Sequence, residues 1–90
     1  MRPDKTLIEN RFKASIDRWV SDGVPTGGFL EAVLSNNLKQ SIGLGDDSAI
    51  DNLPHIVAYL YNDCPFDCWG SYEKLRNWRG LSQDERAVRR

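Results

Sequence analysis

The chain is poor in the residues that most often carry disulfides, metals and catalysis: two cysteines, one histidine and one methionine among 90 residues. Two cysteines, Cys64 and Cys68, are too few for a disulfide framework. Pro65, Phe66 and Asp67 separate them, which is not the two-residue spacing of redox or zinc hairpins. The expectation is two free, partly buried thiols in a reducing cytosol. Zinc takes four ligands, and His55 is the one further soft candidate, so no metal is expected. Long apolar runs are missing too. The longest, residues 56–61, has six residues against the roughly 20 of a membrane-spanning helix, so no span is expected. Residues 1–5 run into mixed polar sequence, without the apolar core of a secretory signal.

Catalytic signatures are equally scarce. There is no Gly-x-Ser-x-Gly, and Gly43-Leu44-Gly45 lacks the Gly-Lys-Ser/Thr that completes a phosphate loop. Asp46 and Asp47 are adjacent carboxylates, and helix capping explains them more simply than acid–base chemistry. The expectation is therefore a non-enzymatic protein without a cofactor.

What the chain does have is an ordinary globular composition, 40% hydrophobic and 28% charged, and an uneven charge. The net charge is -1. Residues 1–20 carry five bases and three acids, residues 21–73 one base (Lys39) and eight acids, and residues 74–90 six bases and two acids. An acidic body does not suit a grip on a nucleic-acid backbone, so nucleic acid is expected at most through the basic tail, residues 81–90. A solvated end is the plainer reading of that tail.

Helical periodicity dominates. Ile8, Phe12, Ile16 and Trp19/Val20 form one stripe, with Thr6 and Glu9 spaced as a capping box and Gly23 as a terminator. After the loop at Val24 and Pro25, with Thr26 as a cap, the spacing predicts a second helix over about 28–42. Its expected buried stripe is Leu30, Val33, Leu34, Asn37/Leu38 and Ile42. Asp46, Asp47 and Ser48 open a third, running to about residue 62, with Ile50, Leu53, Ile56, Val57 and Leu60 inward. Pro54 either kinks this helix or starts a new one. Ser71 caps a last short helix through residue 79, and Ser82 and Glu85 could cap one more turn. The fold expected is all-α, a single domain of about four helices over residues 1–80, followed by the tail. So small a core gains from association through apolar helix faces.

Candidate binding residues fall in three places. Thr26, Gly27, Gly28 and Phe29 form a glycine-rich helix start, whose exposed N–H groups suit a phosphate or carboxylate or simply permit a tight turn. Since Lys39 is the one base in the body, an anion there would lean on the backbone, the Thr26 hydroxyl or a second subunit. Asn36 and Asn37 are unusual inside a helix, with Asn37 on the buried stripe as an amide in need of partners. Tyr59, Tyr61, Phe66, Trp69, Tyr72 and Trp78 gather six of nine aromatics late in the chain. Trp78 and Tyr59 are expected in the core, while Tyr61 and Trp69 suit either core or an interface.

Two stretches carry a resemblance. Gly23-Val24-Pro25-Thr26-Gly27-Gly28-Phe29-Leu30-Glu31-Ala32-Val33-Leu34-Ser35-Asn36-Asn37-Leu38 is one. Ile56-Val57-Ala58-Tyr59-Leu60-Tyr61-Asn62-Asp63-Cys64-Pro65 with Cys68-Trp69-Gly70-Ser71 is the other. They resemble a family of very short proteins encoded by bacteriophages and prophages. The resemblance implies a phage origin and action in the cytoplasm of a bacterial host, against host antiviral defence or on host machinery. On that footing the first expectation is a homo-oligomer sequestering a small anionic, nucleotide-like signal. The helix start at 26–29 would face phosphate, and Asn36, Tyr61 or Trp69 would face base or sugar. The alternative is an acidic inhibitor or adaptor that docks on a host protein or nucleic-acid-handling complex.

Overall fold

A computed structural model of the chain describes residues 3–83. Among the described residues five α-helices form: α1 (Asn10–Asp22), α2 (Gly28–Leu34), α3 (Leu38–Leu44), α4 (Asp47–Asp63) and α5 (Tyr72–Asn77). Single 3-10 turns lie at Lys5–Leu7, Phe66–Cys68 and Leu81–Gln83, and no strand occurs among the described residues. The fold is all-α as expected, with five helices in place of four.

The stripe of α1 is buried as its period requires, with Phe12, Ile16 and Trp19 facing the core, and Ile8, which precedes the helix in extended conformation, is buried beside them. Gly23 ends the helix in the left-handed region, φ 71°, and its N–H reaches the Trp19 carbonyl at 2.9 Å. The expected capping box does not form. The Asp4 carboxylate accepts from the Thr6 N–H at 2.9 Å and its hydroxyl at 2.7 Å, winding the first 3-10 turn instead. Helix α1 then starts behind Glu9, whose side chain caps nothing. The Glu9 N–H donates to Asn52 Oδ1 at 2.9 Å, and Asn52 Nδ2 donates to the Leu7 carbonyl at 3.0 Å. A buried amide on α4 satisfies the backbone here, and local capping does not.

The predicted helix over 28–42 is broken. Asn36 takes a left-handed conformation, φ 64°, and Asn37 becomes the N-cap of α3, its Oδ1 accepting from the Gln40 N–H at 3.1 Å. Both roles suit asparagine, which tolerates that region and caps well. Breaking the helix rotates the following residues off the stripe. Asn37 is exposed and not a buried amide, and Leu38 and Ile42 are 67% and 51% exposed.

Helix α4 runs unbroken through Pro54, so no second helix starts there. Pro54 is exposed, and it lacks the N–H that would otherwise donate to the Ile50 carbonyl. Asp46 caps the helix as expected, accepting from the Ala49 N–H at 2.8 Å. Ile56 and Leu60 are fully buried, but Val57 faces outward. Truncating Ile16, Leu34, Ile56 or Leu60, each wholly enclosed, to alanine should cost about 2–5 kcal/mol.

The aromatic segment locks the ends together. Trp19 Nε1 donates to the Cys68 carbonyl at 3.0 Å, and Trp78 Nε1 to the Trp19 carbonyl at 2.9 Å. The Gly70 N–H bonds the Leu34 carbonyl at 2.7 Å, closing the end of α2. Ser71 caps α5 through the Lys74 N–H, but the helix stops at Asn77, two residues before the predicted end, because Trp78 turns extended into the core. Trp78 is core as expected, and Tyr59 is half-buried at its edge. The turn involving Glu85, and residues 84–90 of the tail, lie outside the described residues.

Candidate functional site

Arg11, Ser15 and Arg18 stand four and three residues apart on α1, and so share one face of that helix. Gly23 reverses the chain, and the loop that follows lies back along this face. Gly27, φ 98° and ψ 171°, makes the final turn into α2 in a conformation open essentially to glycine. The result is a groove of about 390 Å³ lined by Arg11, Ser15, Arg18, Thr26, Gly27 and Gly28 over the rings of Phe12 and Phe29. Those rings pack tilted with centroids 5.7 Å apart.

No carboxylate belongs to the groove lining. The Arg11 guanidinium lies over Phe12, 4.3 Å from the centroid, and donates to Ser48 Oγ at 3.1 Å. Glu9 and Asp46 each approach it at 3.5 Å, so its position is held and its charge is shared. Arg18 is exposed and has no ion-pair partner among the described residues. Thr26 does not cap α2; its hydroxyl reaches the Gly27 carbonyl at 3.4 Å, and no side chain caps that helix. The Glu31 N–H, bonded to the Gly27 carbonyl at 2.9 Å, is the first donor of α2 to find an intrahelical acceptor. With seven residues, α2 supplies little dipole, so the positive potential of the groove is that of the two arginines. Guanidinium forks, hydroxyls and free backbone donors together suit an oxyanion such as phosphate.

Of the residues singled out from sequence, Thr26, Gly27, Gly28 and Phe29 meet at this groove, the Phe29 ring serving as packing against Phe12. Asn36, Tyr61 and Trp69 do not join them within one chain. Asn36 borders a small depression between α3 and α4 with Asn37, Leu38 and Ser41. Tyr61 is exposed on α4, 6.0 Å from the ring of Phe66. Trp69 meets Phe66 edge-on at 6.5 Å, and its buried Nε1–H has no partner among the described residues. Net charge by segment hides Arg11 and Arg18, which lie in the sequence outside the acidic body. Their spacing with Ser15 was a usable signal.

Two other groups are chemically quiet. Cys64 and Cys68 are free and buried. Burial, with neighbouring negative charge, pushes the Cys64 thiol up to about 12, and burial pushes Cys68 up to about 11, so neither is a ready thiolate. No group of three or more His, Cys, Asp or Glu is placed to hold a metal among the described residues. No helix among the described residues is long and apolar enough to cross a membrane. Comparison with family models, curated proteins and solved structures found no match.

Proposed function

We propose that the chain is a non-enzymatic binding protein that holds a small anionic, nucleotide-like ligand, its phosphate in the groove between Arg11, Arg18 and the Gly27-Gly28 turn. The observation that carries this reading is a carboxylate-free, donor-lined groove on a protein whose middle segment is otherwise strongly acidic. Such holding needs no catalytic group. The resemblance to short phage and prophage proteins supports a setting in the bacterial cytoplasm, where sequestering a nucleotide signal counteracts host antiviral defence. Exposed Leu38 and Ile42 support assembly of several copies through apolar helix faces.

Titration calorimetry with GMP and AMP tests the groove. Arg18→Ala should weaken both nucleotides at least about tenfold, a change of about 1.4 kcal/mol, with the helical circular dichroism intact. Lys39→Ala is the control, because it removes one positive charge from an exposed residue that does not line the groove. Unchanged affinity in Arg18→Ala would remove the groove from the site.

A second reading, docking on a host protein, is favoured by the contact of Tyr61 and Phe66, which are 65% and 60% exposed beside Asp63 and Asp67. Complexes formed that way should weaken with salt and ignore nucleotides.

A further inference from the structure

Across Thr26 from the cationic groove lies a second pocket, of about 210 Å³. Trp19, Pro25 and Leu75 give it an apolar floor, and Tyr72 forms a wall with 63% of its surface exposed. Two charged side chains complete it, Glu31 from α2 and Arg76 from α5. They face one pocket yet form no ion pair with each other, and Glu31 has no side-chain hydrogen bond among the described residues. The Arg76 guanidinium instead sits 5.9 Å from the Tyr72 ring centroid.

We propose that this pocket is a guanine subsite, an assignment that rests on the reading of the adjoining groove as a phosphate site. A carboxylate accepts hydrogen bonds and a guanidinium donates them. A planar ring satisfies both when it offers donors on one edge and acceptors on another, with a face for Tyr72. Guanine does this: N1–H and the N2 amino group toward Glu31, O6 and N7 toward Arg76. Adenine sets its amino donor against the arginine and an unprotonated ring nitrogen against the carboxylate. Uracil offers a single N–H donor and a smaller face. Thr26 lines both the pocket and the groove, so a base in one and its phosphate in the other belong to one nucleotide.

The test compares GMP, AMP and guanosine by calorimetry on the full chain. GMP is expected to bind at least about tenfold tighter than AMP. Glu31→Gln, whose amide puts a donor in place of one carboxylate acceptor, should weaken GMP and strengthen AMP, removing the preference between them. Tyr72→Ala should weaken both nucleotides. Equal wild-type affinities with both weakened by Arg18→Ala would overturn the guanine subsite and leave the phosphate groove standing. Guanosine binding as tightly as GMP, lost in Glu31→Gln and indifferent to Arg18→Ala, would support the subsite and overturn the phosphate reading. Absence of binding by all three overturns both.

Discussion

Asp17 on α1 shows how single contacts set the acid stability of this chain. Burial acts to raise its carboxyl, but the hydrogen bond from the Tyr59 hydroxyl and the Lys13 ammonium at 2.9 Å outweigh that and hold it below the usual carboxylate range. Asp4 is also held low, chiefly by hydrogen bonds from Thr6, and Asp46 by the Ala49 N–H. A carboxyl with a lowered folded value binds fewer protons folded than unfolded. Its contribution is complete above the unfolded value of about 3.9 and is lost as pH falls through the folded one. Urea denaturation from pH 5 downward should therefore show falling stability. Tyr59→Phe, which removes the donor to Asp17 and keeps the ring, should shrink that dependence without abolishing it, since Asp4 and Asp46 still contribute. An identical pH profile in the variant would show that the Asp17 contact carries no stability. Composition hid this pair, because 42 residues separate its members.

At the scale of elements, the end of α1 is held by a contact between two backbones. A Cβ built on Gly80, φ 97°, would lie 2.6 Å from the Asp22 carbonyl carbon and 2.7 Å from the Gly23 nitrogen. One built on Gly23 would lie 2.7 Å from the Arg79 oxygen. The positive φ and the close approach both exclude a side chain. Gly80→Ala should cost about 2–3 kcal/mol in chemical denaturation followed by tryptophan emission, since Trp78, two residues before Gly80, is buried and bonded to the Trp19 carbonyl. A loss below about 0.5 kcal/mol, the range of ordinary surface changes, would mean that the two backbones part easily. The α2–α3 break belongs to this scale as well. Asn36 and Asn37 signal it, but a helix continued through both, with Asn37 as a buried amide, keeps Leu38 and Ile42 on a stripe they do not occupy.

For the whole molecule, the consequence of that break is an apolar surface. Leu38 and Ile42 of α3 are exposed, and Val57 of α4 is 39% exposed and borders the same depression as Leu38. Assembly through this face is the part of the proposed function that can be tested without a ligand. Sedimentation velocity should find a discrete oligomer for the native chain, and Ile42→Glu should shift it to a smaller species. Because Ile42 is half-exposed, the substitution should change monomer stability by no more than about 0.5 kcal/mol. A native monomer, or an oligomer indifferent to the substitution, would remove this face from assembly.

The amino-acid sequence alone determined the helical class, the buried stripe of α1, the Asp46 and Ser71 caps and the Gly23 stop. Each of these follows from spacing within a few residues and from local backbone chemistry. It also placed the glycine-rich turn at 26–29. What stands around that turn was decided by the tertiary structure. Arg11 and Arg18 reach it because Gly23 folds the loop back along α1, and Glu31 and Arg76 face one pocket because α5 packs against α2. A charge counted along the chain is averaged over its segment, whereas a bound anion meets the few charges that folding brings within several ångströms.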